Sequence, residues 1–503
     1  MTEYALGEAV QFVGEWSLPG LAETRQISGT LAWEANRALL RLNDSFSPVQ
    51  AGAVYGDEVC QYAVVHGIST ASEHLSILNA TRVGSGYNLG PAGLRQTERL
   101  VSSWIVVGEH VTTDTLYREF SFRIPGLQLW NGRSGVTRSI INRTDSSPMS
   151  VAYEFEHLPE ELIEVPAIEA KVCIGLRHLY SGDLLSEIRA TINGHLTIRP
   201  DQPQTLEWFF DQRGKLLTLL SFIAGSPMAH DHAEGVLSEG DRKVQVLTSL
   251  REPACCAFQN PSEFFMARRM MGVDFATVCQ NWFERYQAIE TPSQLALSVL
   301  NTRNLWSHVE FLSLMQALEG FHRAILPGLY TTVDEYAKVH NELCKAIPAS
   351  VGSDHRESLK SRIKYGNEIS LRKRLDALVA KLPENVRRMV LGGNGQLPRR
   401  WVVTRNYYTH WDDASKNDIL DGVELHRASV RMRLLLRVLY LDFLGVQEDA
   451  MLAALTDASS EAQYLIQLNS AEMRAKNPGA QIGAIMHITM GESDPQSSTS
   501  LPT

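Results

Sequence analysis

The stretch LYREFSFRI, residues 116–124, alternates apolar and polar side chains. Leu116, Phe120, Phe122 and Ile124 fall on one side of an extended chain, whereas the polar residues Glu119, Ser121 and Arg123 fall on the other. A period of two residues is typical of a β-strand with one buried face. We therefore predict an antiparallel strand here.

Similar alternating runs occur on the N-terminal side of this stretch, separated by Gly, Pro, Asn and Asp. They are ISGTLAW, RALLRL, CQYAVVHGIS and EHLSILNA. A mixed segment with the strand-like VQVLTSL follows, up to about residue 260. We predict a β-rich N-terminal domain over residues 1–260.

Beyond residue 260 the apolar period lengthens to that of helices, with turn signals such as Pro327-Gly328 and Gly392-Gly393. We predict a helical connector over 261–299, an all-α bundle over 300–476 and a disordered tail over 477–503. The fold class is therefore α+β.

The last long helix is predicted over 418–444, with Gly445 as its C-terminal stop. The predicted apolar stripe is Val423, Val430, Leu434 and Leu441. The arginines predicted on its other faces are Arg427, Arg431, Arg433 and Arg437.

Composition limits the possible functions. The formal net charge of −10 argues against coating nucleic acid through overall positive potential, so any RNA contact needs a local basic surface. The six cysteines form no CxxC pair, which favours a reducing cytoplasm. No signal peptide is expected, because the N-terminus MTEYALGEAV lacks a basic start and an apolar core. No membrane span is expected, because the most apolar stretch, 434–446, is short and contains Arg437 and Asp442.

The hexapeptide RNYYTH, residues 405–410, has the Arg-x4-His spacing used by metal-free ribonucleases. Chance gives roughly three Arg/His matches at comparable spacings in a chain of this composition. The chain also contains RNLWSH at 303–308 and Arg189 with His195. The pattern alone therefore does not identify a site, and its surroundings must decide.

Those surroundings resemble the Apea-like HEPN domain over about residues 300–455. The resemblance rests on MQALEGFHR at 315–323, NEISLRKRLDALV at 367–379, VVTRNYYTHWD at 402–412 and LLLRVLYLDFLGV at 434–446. The first part resembles the N-terminal domain of ApeA proteins. That resemblance rests on GEWSLPG at 14–20, ISGTLAW at 27–33, VVHGISTASEHLSILNA at 64–80 and REFSFRIPGLQLW at 118–130.

This resemblance implies an antiphage protein that acts by abortive infection, in which the β-rich part senses infection and the HEPN part damages RNA. It also implies that two motifs are paired across a twofold dimer, so we expect a homodimer or a higher even assembly. No metal or other cofactor is expected, because we find no common nucleotide-binding or serine-hydrolase motif.

Metal-free RNA cleavage needs proton transfer and positive charge on the phosphate. We assign proton transfer to His410, phosphate stabilisation to Arg405 and a supporting role to Asn406, which shares a helix face with His410. Arg405 and His410 differ by about 140° around an ideal helix. We therefore predict a helix that starts near Thr404 and directs backbone N–H groups toward a phosphate.

The expected RNA-contacting residues are basic or aromatic. They are Arg372, Lys373, Arg374, Arg399, Arg400, Tyr407 and Tyr408. The alternatives are a solvated face for the basic cluster, core or interface positions for the tyrosines, and ordinary structural roles for Arg405 and His410.

Three other signals are given structural interpretations. His230-Asp231-His232 with Glu234 is more typical of a polar loop than of a metal site. Cys255-Cys256 is interpreted as a pair of buried thiols, and Arg303 and His308 are interpreted as structural.

Two functions remain open. One is a metal-independent endoribonuclease that cuts tRNA or another translation-related RNA after infection, with a phage protein as a possible trigger. The other is a non-catalytic dimeric protein whose β-rich part recognises a phage component.

Overall fold

The computed structural model describes residues 3–4, 6, 8–20, 25–34, 37–46, 60–90, 93–141, 150–183, 185–249, 258–302, 304–411, 413–457 and 460–476. The chain divides into a first compact unit, residues 1–220 with 227–261, and a second, residues 221–226 with 262–503. The predicted tail and Cys255-Cys256 lie outside the described residues.

The first unit is built mainly of antiparallel strands. They are β1 (Val10–Ser17), β2 (Ile27–Glu34), β3 (Arg37–Leu42), β4 (Gln61–Ser69), β5 (His74–Gly90), β6 (Gly93–Ser102), β7 (Trp104–Val107), β8 (Leu116–Arg123), β9 (Val136–Ile141), β10 (Ser150–Phe155), β11 (Glu161–Val165), β12 (Ala170–Asp183), β13 (Glu187–Pro200), β14 (Gln204–Thr205), β15 (His232–Leu237) and β16 (Lys243–Thr248). Its helices are α1 (Leu127–Asn131) and most of α2 (Leu206–Ala224).

Strands β1 to β6 close into a barrel in the order β5-β4-β1-β2-β3-β6, because β5 pairs with β6 as well as with β4. A register shift between Arg82 and Gly84 separates the stretch of β5 that pairs with β4 from most of the stretch that pairs with β6. The barrel core is apolar and includes Trp16, Leu31 and Trp33. From β5 the sheet continues through β7-β16-β15-β8-β13-β12-β11.

The opening stretch forms β8, as predicted, but it is more buried than expected. Phe120 and Phe122 pack against Phe209 and Phe210 of α2, with ring centroids 5.4 Å apart in each pair. Ser121, on the opposite face, is also buried. Leu116, predicted on the buried face, is exposed because it lies at the end of the strand.

The second unit is helical in its described part. Its helices are α3 (Phe275–Leu300), α4 (Ser307–Ile325), α5 (Val333–Lys345), α6 (Ser353–Lys364), α7 (Leu371–Lys381), α8 (Glu384–Leu391), α9 (Arg399–His410), α10 (Gly422–Phe443), α11 (Glu448–Thr456) and α12 (Ser460–Lys476). A β-rich first unit and a helical second unit confirm the predicted α+β class. In the described residues, no helix is long and apolar enough to cross a membrane.

The predicted long helix is α10, but the predicted roles of its faces were partly wrong. Val423 is exposed, whereas Arg431 and Arg437 are buried. Arg437 donates hydrogen bonds to the carbonyls of Ser221, Phe222 and Gly225. Helix α10 packs against α4, α8, α11 and α12, so its polar side chains are covered as well as its apolar ones.

Candidate active site

Helix α9 positions the Arg-x4-His motif. Trp401 and Thr404 anchor its buried side, and the Thr404 hydroxyl accepts a hydrogen bond of 2.9 Å from the Leu420 amide. The helix ends after His410, where Trp411 adopts a left-handed conformation and its amide donates to the Tyr407 carbonyl at 2.7 Å. Arg405 and the exposed His410 therefore lie on the half of α9 that leads to its C-terminus.

The prediction that α9 starts near Thr404 was wrong. The helix begins at Arg399, after Pro398. At 1.5 Å per residue, the first-turn amides of Arg399 to Trp401 lie about 6–9 Å along the axis from Arg405. The backbone amides of this helix start therefore do not contribute to a phosphate site at Arg405.

Glu319 of α4 fixes the side chain of Arg405. The Nη2 atom of Arg405 lies 3.4 Å from Glu319 Oε2, and its Nη1 atom lies 3.3 Å from Asn406 Oδ1. Glu319 also binds Arg323 at 3.1 Å, and Arg323 binds Glu368 at 2.8 Å. Because only 28% of the Arg405 side chain is exposed, this ion-pair network holds a partly covered guanidinium in place.

Sequence reasoning missed Glu319. The available signal was a single carboxylate within the apolar run MQALEGF, where an acidic residue needs a cationic partner if it is to be covered. Its partner Arg405 is 86 positions away along the chain, so the sequence did not reveal the pair.

One chain does not bring the predicted catalytic residues together. Arg405 faces α4, whereas His410 is exposed about 140° around α9. Asn406 and His410 share a helix face, but within the described part of the chain no hydrogen bond joins them. Arg405 and Asn406 are in contact, and His410 is separate.

Aromatic side chains surround the C-terminal end of α9. Ring centroids of Tyr407 and Tyr408 lie 5.5 Å apart, and those of Tyr407 and Trp411 lie 5.9 Å apart. Trp411 is 70% exposed, which the sequence analysis did not anticipate. The tyrosines are half-buried, so each retains some accessible ring surface.

His308 of the second Arg-x4-His match also lies at this end of α9. It is exposed in the first turn of α4, and its ring stacks on Tyr408 with centroids 6.0 Å apart. The structural interpretation of His308 is therefore not supported by burial. Arg303 lies outside the described residues, and the third match, Arg189 with His195, lies on strand β13.

The basic residues predicted on α7 differ in accessibility. Arg374 is buried at 2% exposure and binds Glu368 at 2.9 Å, so it is removed from the set that can reach RNA in this conformation. Arg372 pairs with Asp376 at 2.7 Å, and the Lys373 ammonium lies 4.6 Å from the Tyr330 ring centre. Both of these side chains have accessible surface.

The two basic residues at the start of α9 also differ. Arg399 is exposed. Arg400 binds both carboxylate oxygens of Glu424, and it donates to the Ile419 carbonyl at 2.6 Å. This pairing lowers the pKa of the Glu424 carboxyl and shows that Arg400 is already engaged within the chain.

His230 and Asp231 lie in a polar loop, as interpreted, and His232 follows them, but the loop is more buried than its sequence suggests. Both imidazoles are buried, and His230 Nδ1 lies 2.7 Å from an Arg213 nitrogen. Asp231 binds Arg123, and His232 is the first residue of β15. The group therefore forms the end of a loop that leads into the sheet of the first unit.

Comparison with protein families gives two adjoining matches. The family model ApeA N-terminal domain 1 matches residues 11–282, and the model Apea-like HEPN matches residues 312–450, which include α9. No curated protein matches the chain. Because the first match alone spans more than half of the 503 residues, the chain belongs to the ApeA family of antiphage defence proteins with an HEPN domain.

Proposed function

We propose that this protein is an endoribonuclease that needs no metal and uses Arg405 and His410 of each of two paired subunits. The observation that carries the proposal is the arrangement on α9 within the matched HEPN domain. A partly covered Arg405 is held by Glu319, and an exposed His410 stands at the helix end. Asn406 supports the site through its contact with Arg405.

The proposed chemistry is attack of an RNA 2′-hydroxyl on its own phosphorus. One imidazole takes the 2′-hydroxyl proton while a protonated imidazole gives a proton to the departing 5′-oxygen. Bond formation at the 2′-oxygen and cleavage at the 5′-oxygen leave a 2′,3′-cyclic phosphate and a 5′-hydroxyl. The Arg405 guanidinium stabilises the charge on the phosphate oxygens.

A dimer supplies what one chain lacks. Two proton-transfer groups are needed on opposite sides of the phosphorus, and one chain offers a single His410 whose direction diverges from that of Arg405. HEPN domains typically dimerise and bind RNA, which supports a shared site. We propose a homodimer or a higher even assembly, with Trp411, 70% exposed, next to the shared site.

The proposed substrate is tRNA or another translation-related RNA, because its cleavage stops growth of an infected cell. Arg372, Lys373, Arg399 and the rings of Tyr407 and Tyr408 are the accessible groups that we propose contact RNA. We further propose that the first unit senses infection in the cytoplasm, with a phage protein as the trigger.

The test compares infected cells that express the wild type, His410→Ala, Arg405→Ala or the control His355→Ala, which changes an exposed histidine of α6. We expect phage protection and new RNA ends with the wild type and the control, and loss of both in the two site variants. The cleaving activity of purified activated protein should persist in EDTA. Wild-type RNA cleavage by His410→Ala would overturn the proposal, and full protection without cleavage would favour the non-catalytic binding protein.

A further inference from the structure

A cavity of about 360 Å³ opens on the first unit, on the face of the sheet opposite α2. It crosses β12, β13, β8, β15 and β16. His195, Arg123 and His232 stand directly opposite one another on three neighbouring strands. The register of the sheet therefore places a row of nitrogen-bearing side chains across the cavity.

The wall of this cavity is polar and deeply buried. His195 and His232 are each 6% exposed, and Gln245 is fully buried. Burial, with the nearby charges of Arg177 and Arg123, lowers the pKa of His195 to about 3, so its imidazole is neutral near pH 7. His232 Nδ1 has no hydrogen-bond partner among the described residues. Buried polar groups of this kind are ordinarily satisfied, by protein, water or a ligand.

The charges around the cavity are unevenly matched. Lys243 pairs with Glu234 at 2.9 Å, and Arg123 Nε pairs with Asp231 at 2.6 Å. Arg177 donates to the Ser121 hydroxyl at 3.4 Å and has no carboxylate partner within the described ranges. Before Glu3 is considered, the three cations at the cavity exceed these two carboxylates by one charge.

Glu3 supplies the balancing charge from a different part of the chain. Its carboxylate forms an ion pair with Arg123 and lies 3.8 Å from His232 Nδ1, too far for a hydrogen bond. The residues next to Glu3 are held separately: the Tyr4 amide donates to Gln245 Oε1 at 3.1 Å, the Tyr4 hydroxyl donates to Glu73 at 2.7 Å, and Leu6 is buried in the barrel core. Glu3 thus places an anionic group on an arginine at the edge of a cavity of small-molecule size.

We propose that this cavity binds a small organic anion whose phosphate or carboxylate group lies between Arg123 and Arg177, in place of the Glu3 carboxylate. The two guanidinium groups supply charge-assisted hydrogen bonds to the anionic group. The neutral imidazoles of His195 and His232 and the amide of Asn193 face the rest of the ligand. Binding releases the Glu3 carboxylate from Arg123.

The experiment measures binding to the full-length protein by calorimetry, with inorganic phosphate, AMP and citrate as probes. We compare the wild type, Glu3→Gln, Arg177→Gln and the control Arg37→Gln, which changes an exposed arginine of β3. At least one probe should bind the wild type, bind Glu3→Gln more tightly, and bind Arg177→Gln about tenfold more weakly or worse. Arg37→Gln should bind like the wild type.

The probes separate the sources of the anion. Binding of phosphate and AMP alone assigns a phosphate group, and binding of citrate alone assigns a carboxylate. The proposal is wrong if Glu3→Gln binds none of the three at millimolar concentration, or if a folded Arg177→Gln binds as the wild type does. The His410→Ala protein should bind the same probe normally, so failure here is independent of the ribonuclease proposal.

Discussion

At the scale of single residues, Arg405 pairs with Glu319 within the chain, and we propose that it also binds the RNA phosphate. Glu319 holds the guanidinium at 3.4 Å, and the side chain keeps 28% of its surface open. An arginine has five donors, so one carboxylate contact leaves donors for a phosphate. Glu319 therefore acts as a positioning residue that directs Arg405 while partly neutralising it.

We predict that Glu319→Ala lowers the rate constant of RNA cleavage by about tenfold or more, because a misplaced guanidinium stabilises the transition state poorly. Single-turnover cleavage by activated protein measures this. If His410 transfers the proton as proposed, the shape of the pH profile should not change, and Glu319→Gln should restore part of the rate. Glu357→Ala, at an exposed carboxylate of α6, is the control. Unchanged cleavage by Glu319→Ala would remove Glu319 from the site.

Trp411 is the most accessible ring beside His410. Stacking on a base is worth about 1–3 kcal/mol, so Trp411→Ala should weaken binding of single-stranded RNA by about fivefold to a hundredfold. Fluorescence anisotropy with a labelled oligonucleotide measures the change, and Trp306→Ala, at another exposed tryptophan, is the control. Unchanged RNA affinity with loss of the dimer in sedimentation would place Trp411 at the subunit interface instead.

At the scale of elements, α10 is a central helix with buried cations. Arg437 is fully buried, and its donors reach backbone carbonyls of the segment 221–226. Its Nε atom lies 3.6 Å from Glu461 Oε2 on α12. The buried guanidinium therefore links helix α10 to the segment 221–226 and to Glu461 of α12, whose side chain is 29% exposed.

Replacing Arg437 by Ala should lower the free energy of unfolding of the second unit by about 3–5 kcal/mol, because Glu461 and the carbonyls lose a buried partner. Arg427→Ala, on the exposed side of the same helix, should change it by less than about 0.5 kcal/mol. Urea denaturation of both variants provides the comparison. Equal stability of the two would contradict the proposed importance of the buried arginine.

The sheet face that bears His195 should make the first unit sensitive to acid. The pKa of His195, about 3, lies below the ordinary value of 6.5. The unfolded chain therefore binds a proton at pH values where the folded chain does not. The stability from neutral His195 is complete above about pH 6.5 and is lost as pH falls toward 3. Burial lowers the pKa of His230 and His232 as well, which acts in the same direction.

We expect the free energy of unfolding to fall between pH 7 and pH 5, with about 1–2 kcal/mol of the fall due to His195. His195→Gln should show a correspondingly smaller fall, whatever its stability at pH 7. Chemical denaturation at both pH values measures the difference. An identical fall in the two proteins would show that His195 does not contribute.

At the scale of the whole molecule, a shared site should make inactive subunits dominant. If each site needs His410 of both chains, an equal mixture of wild-type and His410→Ala subunits contains about a quarter of fully active dimers. Co-expression at graded ratios, with RNA cleavage as the readout, should therefore give a curve that falls below a straight line. A linear decline would mean that each subunit works alone, and His355→Ala as the mixed partner should have no effect.

The fold class could be predicted from the sequence because the period of apolar residues changes from two to the helical value along the chain. Closure of the barrel could not, since it depends on pairing between β5 and β6 and on a shift of register at Gly84. The motif on α9 was recognised from its surroundings. The start of its helix was misplaced because the 140° between Arg405 and His410 was attributed to a helix that begins near Thr404, whereas the helix begins after Pro398 and contains both residues.

The partners of the charged residues were the hardest to foresee. Glu319 and Arg405 are 86 positions apart along the chain, and Arg374 was assigned to a basic surface although Glu368 and Gly328 enclose it. Local spacing indicates which face of a helix a residue occupies, but tertiary packing decides whether that face is covered. Sequence patterns therefore predicted which face of a helix a residue occupies, but not whether that face is exposed.

Closure of the barrel also determines which strand edge stays open to another copy of this protein. Because β6 pairs with both β3 and β5, the long strand path has its open end at β11 in the described part of the chain. An unpaired edge is a template for strand addition by another molecule. Strand β11 is five residues long and carries Glu161 and Glu164, of which Glu164 pairs with Lys171 at 3.1 Å, and short edge strands with charged side chains resist such addition. Replacing Glu161 and Glu164 with apolar residues is therefore expected to promote the formation of intermolecular sheets at this edge.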